Sequence, residues 1–192
     1  MKKLILFIAI LFMTYQANAA EAPMKNILIV YGSFSGSTAE IADRMKTILE
    51  KNNCSAEVLP ADGSSKDLGP YDLVIIGSAI RGGSPHGGVK KFIEANRTAL
   101  EKKKVAVFAA CLFVISKKEN QKSEAQGYAD KVACGLAPAS KTVFAGSSQN
   151  SWWITAMLSK LFMGIGRGDY REWDTITAWT LSLIGPAEGR PL

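Results

Sequence analysis

The residues most able to do chemistry in this chain lie at positions 33–38, where hydroxyl side chains and a glycine follow an apolar run. The run at 27–30 is typical of a buried strand, and the apolar spacing after position 38 predicts a helix. A helix that starts directly after a strand presents unpaired backbone N–H groups and the positive end of its dipole, which together attract an anion. The loop consists of Ser33, Phe34, Ser35, Gly36, Ser37 and Thr38.

Two kinds of nucleotide-binding loop do not fit this segment. It contains no lysine, which a Walker-type loop requires, and it lacks the three spaced glycines of a dinucleotide-binding loop. Four hydroxyl groups remain as donors, and Gly36 lets a ligand approach the backbone closely. We therefore predict a site for a monophosphate group; the alternative is a hydroxyl-rich turn that caps the helix and binds nothing.

The elements that position this loop alternate between strand and helix along the chain. Apolar runs rather than alternating patterns, as at 71–77 and 104–110, indicate strands buried on both faces of a parallel sheet. The order resembles that of a flavodoxin-like fold, an α/β doubly wound sheet of five parallel strands in the order 2-1-3-4-5. We predict strands near 26–31, 55–59, 71–77, 104–110 and 141–147, and helices near 38–52, 87–101, 123–135 and 170–184.

Two further loops are expected at the same edge of the sheet, at 78–88 and 111–122, because ligands of such sheets bind beyond the carboxyl ends of the strands. The glycine-rich second loop fits around a flat ring, and Leu112 and Phe113 of the third loop are candidates to cover a ring face. The predicted ring contacts in the second loop are Ser78, Ala79, Ile80, Gly82 and Gly83.

Arg81 and His86 are the candidate catalytic residues. Arg81 is suited to stabilise negative charge, and His86 is suited to carry a proton. The alternatives are a salt bridge on the loop rim for Arg81 and a solvated or helix-starting imidazole for His86. Lys117 and Lys118 fit either an acidic partner or a solvated face.

Composition and charge limit the class of protein. The 192 residues are 47% hydrophobic and 21% charged, which is typical of one globular domain, and the formal net charge is +6. This charge suits an anionic membrane surface or an acidic ligand, whereas no basic helix interleaved with aromatic residues indicates nucleic acid binding. The lone His86 and the scattered cysteines exclude an ordinary zinc site, so we expect no metal. The oligomeric state is left open.

Residues 1–19 have the pattern of a secretory signal peptide. Two lysines precede the apolar stretch 4–13, and Ala17-Asn18-Ala19 resembles a cleavage site. We expect an exported protein, periplasmic or membrane-associated, with its domain at 25–185 and a net charge of +4 after loss of the two lysines. Translation from Met24, which gives a cytoplasmic protein, and an uncleaved anchor are the alternatives.

Segment 151–166 is an apolar insertion with only a narrow polar stripe. It is too short to span a bilayer as a helix. We expect it to lie in the membrane interface with Trp152 and Trp153 at headgroup depth; a core helix and a dimer interface are the alternatives.

The chain resembles flavodoxins in its phosphate loop, and over residues 25–184 it is similar to the menaquinone-dependent protoporphyrinogen oxidases, a membrane-associated branch of flavodoxin-like proteins. The resemblance rests on Gly77 to Arg81, on His86, on Val143 to Gly146, on Met157 to Ile165 and on Asp169 to Trp173.

This resemblance implies FMN as cofactor and electron transfer from a porphyrinogen to a quinone. It predicts an FMN-dependent oxidoreductase with a quinone or another membrane redox partner. The alternatives are a non-catalytic flavodoxin-type carrier, which the positive charge disfavours because soluble flavodoxins are typically acidic, and a flavin-free binding protein. Gly82 and Gly83 stand where the family tends to carry an aromatic residue, which leaves Phe34 or Phe113 to stack on the ring.

Overall fold

Five parallel strands, covered by helices on both faces, build the domain. The computed structural model describes residues 24–149, 157, 160, 161 and 164–185. The strands are β1 (Lys25–Gly32), β2 (Cys54–Pro60), β3 (Leu73–Arg81), the two-residue β4 (Ser84–Pro85), β5 (Lys104–Cys111) and β6 (Ser140–Ala145). The helices are α1 (Ser37–Glu50), α2 (Gly87–Leu100), α3 (Glu119–Gln126), α4 (Tyr128–Ala133) and α5 (Trp173–Ile184), and a 3-10 turn spans Phe113–Ile115.

The order of the parallel strands confirms the predicted topology. The strands lie in the order β2-β1-β3-β5-β6, and β4 adds to β3 in antiparallel pairing outside this path. Because β4 is not one of the parallel strands, the order is the predicted 2-1-3-4-5. This flavodoxin-like arrangement has its switch point between β1 and β3, where ligands of such sheets bind.

Apolar residues on the two faces of β1 explain why the sheet is covered twice. Leu28 and Val30 face the hydrophobic cluster under α2 and α4, whereas Ile27 and Ile29 face the cluster under α1 and α5. All four side chains are at most 1% exposed. Burial of each such side chain contributes roughly 1.5–3 kcal/mol, so the strand is stabilised from both sides.

The strand register places the candidate loops side by side. Gly32 at the end of β1 pairs with Ser78 of β3, and Ala79 pairs with Ala110 near the end of β5. The first loop therefore leaves the sheet next to the second, as predicted.

Three elements differ from their prediction. The helix expected at 123–135 is two helices, α3 and α4, which meet at Gly127. The second loop is not a continuous loop around a ring, because β3 continues to Arg81 and turns back into β4. The last helix begins at Trp173 rather than near 170, because Asp169 forms a bridge with Ser147 before the helix starts.

Cys134 falls within the helix predicted at 123–135, but it follows α4 in the left-handed conformation. Cys111 follows the predicted strand 104–110 and ends the buried β5. Cys54, Cys111 and Cys134 are all free thiols. The predicted signal peptide at 1–19 and most of segment 151–166 lie outside the described residues. Within the described part of the chain, no helix is both long and apolar enough to cross a membrane.

Candidate functional site

The loop between β1 and α1 has the geometry of an anion site. Gly36 adopts a φ of +92°, in the left-handed region that favours glycine, and its N–H donates to the Ser33 hydroxyl at 3.0 Å. The chain then enters α1 at Ser37, which leaves the N–H groups of Ser37, Thr38 and Ala39 without a partner inside the helix. These groups and the helix dipole point to the same end, so the loop can hold an anion.

The hydroxyl of Thr38 is a buried hydrogen-bonding group that a ligand could satisfy. Thr38 is 0% exposed, and its Oγ1 has no hydrogen-bond partner among the described residues. A buried polar group without a partner costs roughly 1–3 kcal/mol. A phosphate oxygen at the start of α1 would accept from this hydroxyl, so the residues present fit a bound phosphate group.

The second loop is a tight hairpin between β3 and β4. Gly82 and Gly83 form its two-residue turn, with φ of +57° and +74°, as a type I′ turn requires. Lys131 of α4 donates to the Gly83 carbonyl at 3.0 Å, which fixes the hairpin against that helix. The two glycines therefore make the turn that projects Arg81 at the ligand edge of the sheet.

Ser78 supports this loop from inside. Its side chain is fully buried, its Oγ accepts from the backbone N–H of His86 at 2.8 Å, and it donates to the Ala79 carbonyl at 3.0 Å. Because the hydroxyl is already engaged, Ser78 can meet a ligand only through its backbone. Ala79 and Ile80 follow it along β3, and Ile80 pairs with Pro85 of the hairpin.

Phe34, Arg81 and His86 form one cluster from two loops. The Arg81 guanidinium carbon lies 4.2 Å from the centre of the Phe34 ring, and the Phe34 and His86 rings are 4.8 Å apart. Phe34 is 40% exposed, so the cluster is open to solvent. An aromatic face, a cation and an imidazole thus stand beside the phosphate loop, where a flat ring attached to that phosphate would lie.

The imidazole of His86 caps α2. Its Nδ1 accepts from the Gly88 N–H at 3.2 Å, so the neutral ring carries its proton on Nε2. The helix-start interpretation of His86 is therefore confirmed, and Nε2–H remains available as a donor. His86 packs closely against the end of β1, because a Cβ on Gly32 would lie only 2.6 Å from the His86 Cβ.

The third loop contributes less than expected to this cluster. The Phe113 ring contacts Tyr128 of α4, with the ring centres 6.2 Å apart, and Leu112 is half-buried before the 3-10 turn. Burial and a hydrogen bond to Glu124 raise the pKa of Tyr128, and burial raises the pKa of the Cys111 thiol. Phe113 thus packs against α4, and its contact with the flat ring of a ligand stays a prediction.

From the sequence, Arg171 is expected near membrane phosphates together with Lys160 and Arg167, but its side chain is only 5% exposed and pairs within the domain. Its guanidinium bonds to Glu40 and Ser37 in the first turn of α1. The sequence offers one indication, an arginine between Asp169 and Trp173 at the start of a helix, but the partner on α1 is 131 positions away.

The Flavodoxin domain model matches residues 28–169, which is most of the chain and includes every loop described above. The chain belongs to the flavodoxin domain family. No curated protein matches it.

Solved structures of flavodoxins and flavoproteins resemble this flavodoxin-domain protein. Rubredoxin oxygen:oxidoreductase of Desulfovibrio gigas is 11% identical, with a TM-score of 0.53 over 84% of this chain and 36% of that one. Flavodoxin 2 of Bacillus cereus, in its oxidised form, is 25% identical, with a TM-score of 0.49 over 66% of this chain and 88% of that one. Fusobacterium nucleatum flavodoxin bound to flavin mononucleotide is 19% identical, with a TM-score of 0.35 over 45% of this chain and 52% of that one.

The matches confirm the fold and the flavodoxin family. The membership in the protoporphyrinogen oxidase branch and the individual site residues stay predictions.

Proposed function

We propose that this flavodoxin-domain protein binds FMN and uses it as an oxidoreductase. The observation that carries the proposal is the buried hydroxyl of Thr38, which has no partner in the described part of the chain and lies at the start of α1 behind the left-handed Gly36. A flavodoxin from Fusobacterium nucleatum binds flavin mononucleotide, and the family model spans this chain's loop.

The ring of FMN would lie between the phosphate loop and the hairpin. Phe34 offers an aromatic face, Arg81 a cation for the negative charge of a reduced ring, and the backbone at 78–80 its polar groups. FMN itself supplies reversible two-electron chemistry when bound, while the protein binds, orients and sets the electrostatics. Within this cluster, His86 would offer its Nε2–H to a ligand, since its Nδ1 accepts from Gly88.

The substrate class follows from the resemblance to quinone-linked protoporphyrinogen oxidases. A porphyrinogen-like donor would lose two electrons and two protons in each cycle, and a quinone would take up both and become a quinol. The alternative is a carrier that only passes electrons to a membrane partner.

Steady-state turnover separates the two functions. We expect the FMN-loaded protein to oxidise a porphyrinogen with a short-chain menaquinone as acceptor, followed by the absorbance of the porphyrin formed. Flavin that is reduced and reoxidised by dithionite and air, without porphyrin formation above the rate of free FMN, would show a carrier instead.

Export and membrane contact complete the proposal. Met157 and Leu161 are 55% and 73% exposed, and the exposed Lys160 lies beside them in sequence. Apolar side chains next to cations suit an anionic membrane surface. For export, we expect mass spectrometry of protein from its host to give an N-terminus near Ala20; an N-terminus at Met24 would contradict it.

A further inference from the structure

Arg171 ties the segment after β6 to the phosphate loop. Its Nη1 lies 2.6 Å from Glu40 Oε2 and 3.4 Å from the Ser37 carbonyl oxygen. Its Nε and Nη2 bond to the two carboxylate oxygens of Asp169 at 2.7 and 2.6 Å, and its guanidinium carbon lies 4.6 Å from the Trp173 ring centre. The side chain is only 5% exposed. A buried fork with this many partners has one fixed position.

The segment that carries Arg171 is itself held in place. Ser147 forms an antiparallel bridge with Asp169, and the Ser148 N–H donates to the Gly168 carbonyl at 2.8 Å. The Ser148 hydroxyl is buried and accepts from the Gly168 N–H at 3.1 Å. A Cβ on Gly146 would lie 3.9 Å from Ser37 Oγ, so this bridged pair of segments lies close to the start of α1.

Glu40, the partner of Arg171 on α1, places a negative charge beside the phosphate loop. It lies in the first turn of α1, and its Oε1 is 4.0 Å from the position that a Cβ on Gly36 would occupy. A carboxylate this close to the anion-binding turn would repel a phosphate dianion. Its other oxygen bonds to Arg171, which offsets part of its charge and holds it in place, because the same guanidinium also pairs with Asp169.

We propose that Arg171 is a positioning residue of the phosphate site, which offsets the charge of Glu40 and fixes the first turn of α1 so that the site accepts the phosphate of FMN. This inference rests on the proposed function. The pKa values agree with strong pairing, since hydrogen bonds to Asp169 raise the pKa of Arg171 and hydrogen bonds from Arg171 lower the pKa of Asp169.

FMN and riboflavin together test this role, because they share the ring and differ in the phosphate. Arg171→Met should weaken FMN binding about tenfold or more, as expected when a buried ionic partner is lost, and leave riboflavin binding nearly unchanged. The double variant Arg171→Met with Glu40→Gln removes the carboxylate beside the phosphate loop. It should regain at least half of the lost FMN affinity, measured as the logarithm of the dissociation constant. Arg97→Met is the matched control: Arg97 bonds to Glu101 and to the Cys134 carbonyl, away from the phosphate loop.

The outcomes distinguish the claims. A wild-type protein that binds neither flavin refutes the proposed function. A wild-type protein that prefers FMN, with an Arg171→Met variant that keeps the same preference or loses both ligands equally, refutes the role of Arg171. No recovery in the double variant also refutes the claim that Arg171 offsets the charge of Glu40. If Arg171→Met does not fold, Arg171→Gln decides, because it keeps hydrogen-bonding groups without the charge. A preference for FMN equal to that of wild type in Arg171→Gln would overturn the inference.

Discussion

A hydroxyl group buried without a partner costs a folded protein roughly 1–3 kcal/mol, and Thr38 carries such a group at the start of α1. Such a hydroxyl group should lower the stability of the ligand-free protein. It should raise the affinity for a ligand that accepts its hydrogen bond. The local pattern of hydroxyls around Gly36 between strand and helix was sufficient to single out this loop, and contact of Thr38 with a phosphate stays a prediction. The sequence could not predict the role of Arg171, because the partners Ser37 and Glu40 meet it only through the tertiary fold.

Thr38→Val tests this balance directly. Valine has the shape of threonine without the hydroxyl, so the free protein should become more stable to urea by about 1 kcal/mol, while the affinity for FMN should fall about tenfold. Urea unfolding and FMN titration measure the two effects. Thr47→Val on the exposed end of α1, where the hydroxyl donates to the Asp43 carbonyl, is the control and should leave FMN binding unchanged. A loss of stability without a loss of affinity in Thr38→Val would contradict the account.

At the scale of elements, the hairpin and the helix starts decide where the candidate side chains stand. The glycine pair at 82–83 indicated unusual dihedral angles, but not that β3 would continue to Arg81, because β-strand ends depend on pairing with a partner strand. The break between α3 and α4 at Gly127 was missed because a single glycine inside a helical pattern is tolerated at a cost and does not by itself predict a helix end.

The hairpin turn should tolerate no side chain that disfavours a positive φ. Gly83→Ala should destabilise the protein by about 1–2 kcal/mol and weaken FMN and riboflavin equally, because the turn positions Arg81. Gly87→Ala is the matched control, since a Cβ there meets nothing within 4 Å and the residue opens α2. Urea unfolding compares the two variants; equal stability of both would show that the turn is not strained by alanine.

The ion pair of Asp169 makes part of the stability depend on pH. Because the hydrogen bonds from Arg171 lower the pKa of Asp169, its contribution is complete above the unfolded pKa of about 3.9 and is lost as the pH falls through the lower folded value. Asp169→Asn should therefore be less stable than wild type by about 1–3 kcal/mol at neutral pH. The difference should shrink once the pH is below the folded value.

Urea unfolding at neutral and at strongly acidic pH measures this difference. Asp130→Asn is the control, because the pair of Asp130 with Lys141 is mostly exposed and should contribute little. A stability difference for Asp169→Asn that is the same at both pH values would contradict the ionic explanation.

At the scale of the whole molecule, the burial pattern of the chain predicted a doubly covered parallel sheet, and the resemblance to flavodoxin-like folds supplied the strand order. Buried runs such as Ile27–Val30 on β1 and Leu73–Ile76 on β3 have no polar face, so they require cover on both sides, and the alternation with helices leaves few topologies. Segment 151–166 and the N-terminal 19 residues, which carry the predictions of membrane contact and export, lie outside or mostly outside the described residues. These two predictions therefore depend on solution experiments.

Binding to anionic vesicles tests the membrane contact. The double substitution Met157→Ser and Leu161→Ser should lower the partition coefficient of the protein onto vesicles by orders of magnitude. Each apolar side chain contributes roughly 1.5–3 kcal/mol on burial. Both side chains are exposed, so the free energy of unfolding should change little. Leu181→Ser, on the exposed side of α5, is the control. Co-sedimentation unchanged by the double substitution would exclude these side chains as the contact.

The central claim is that the loop at 33–38 binds the phosphate of FMN. Equilibrium titration of the purified full-length protein with FMN, followed by quenching of flavin fluorescence, tests it most directly. We predict a dissociation constant in the micromolar range or below, a clearly weaker affinity for riboflavin, and competition by inorganic phosphate. No binding of FMN at micromolar concentrations by a folded protein, or equal affinity for FMN and riboflavin, would contradict it.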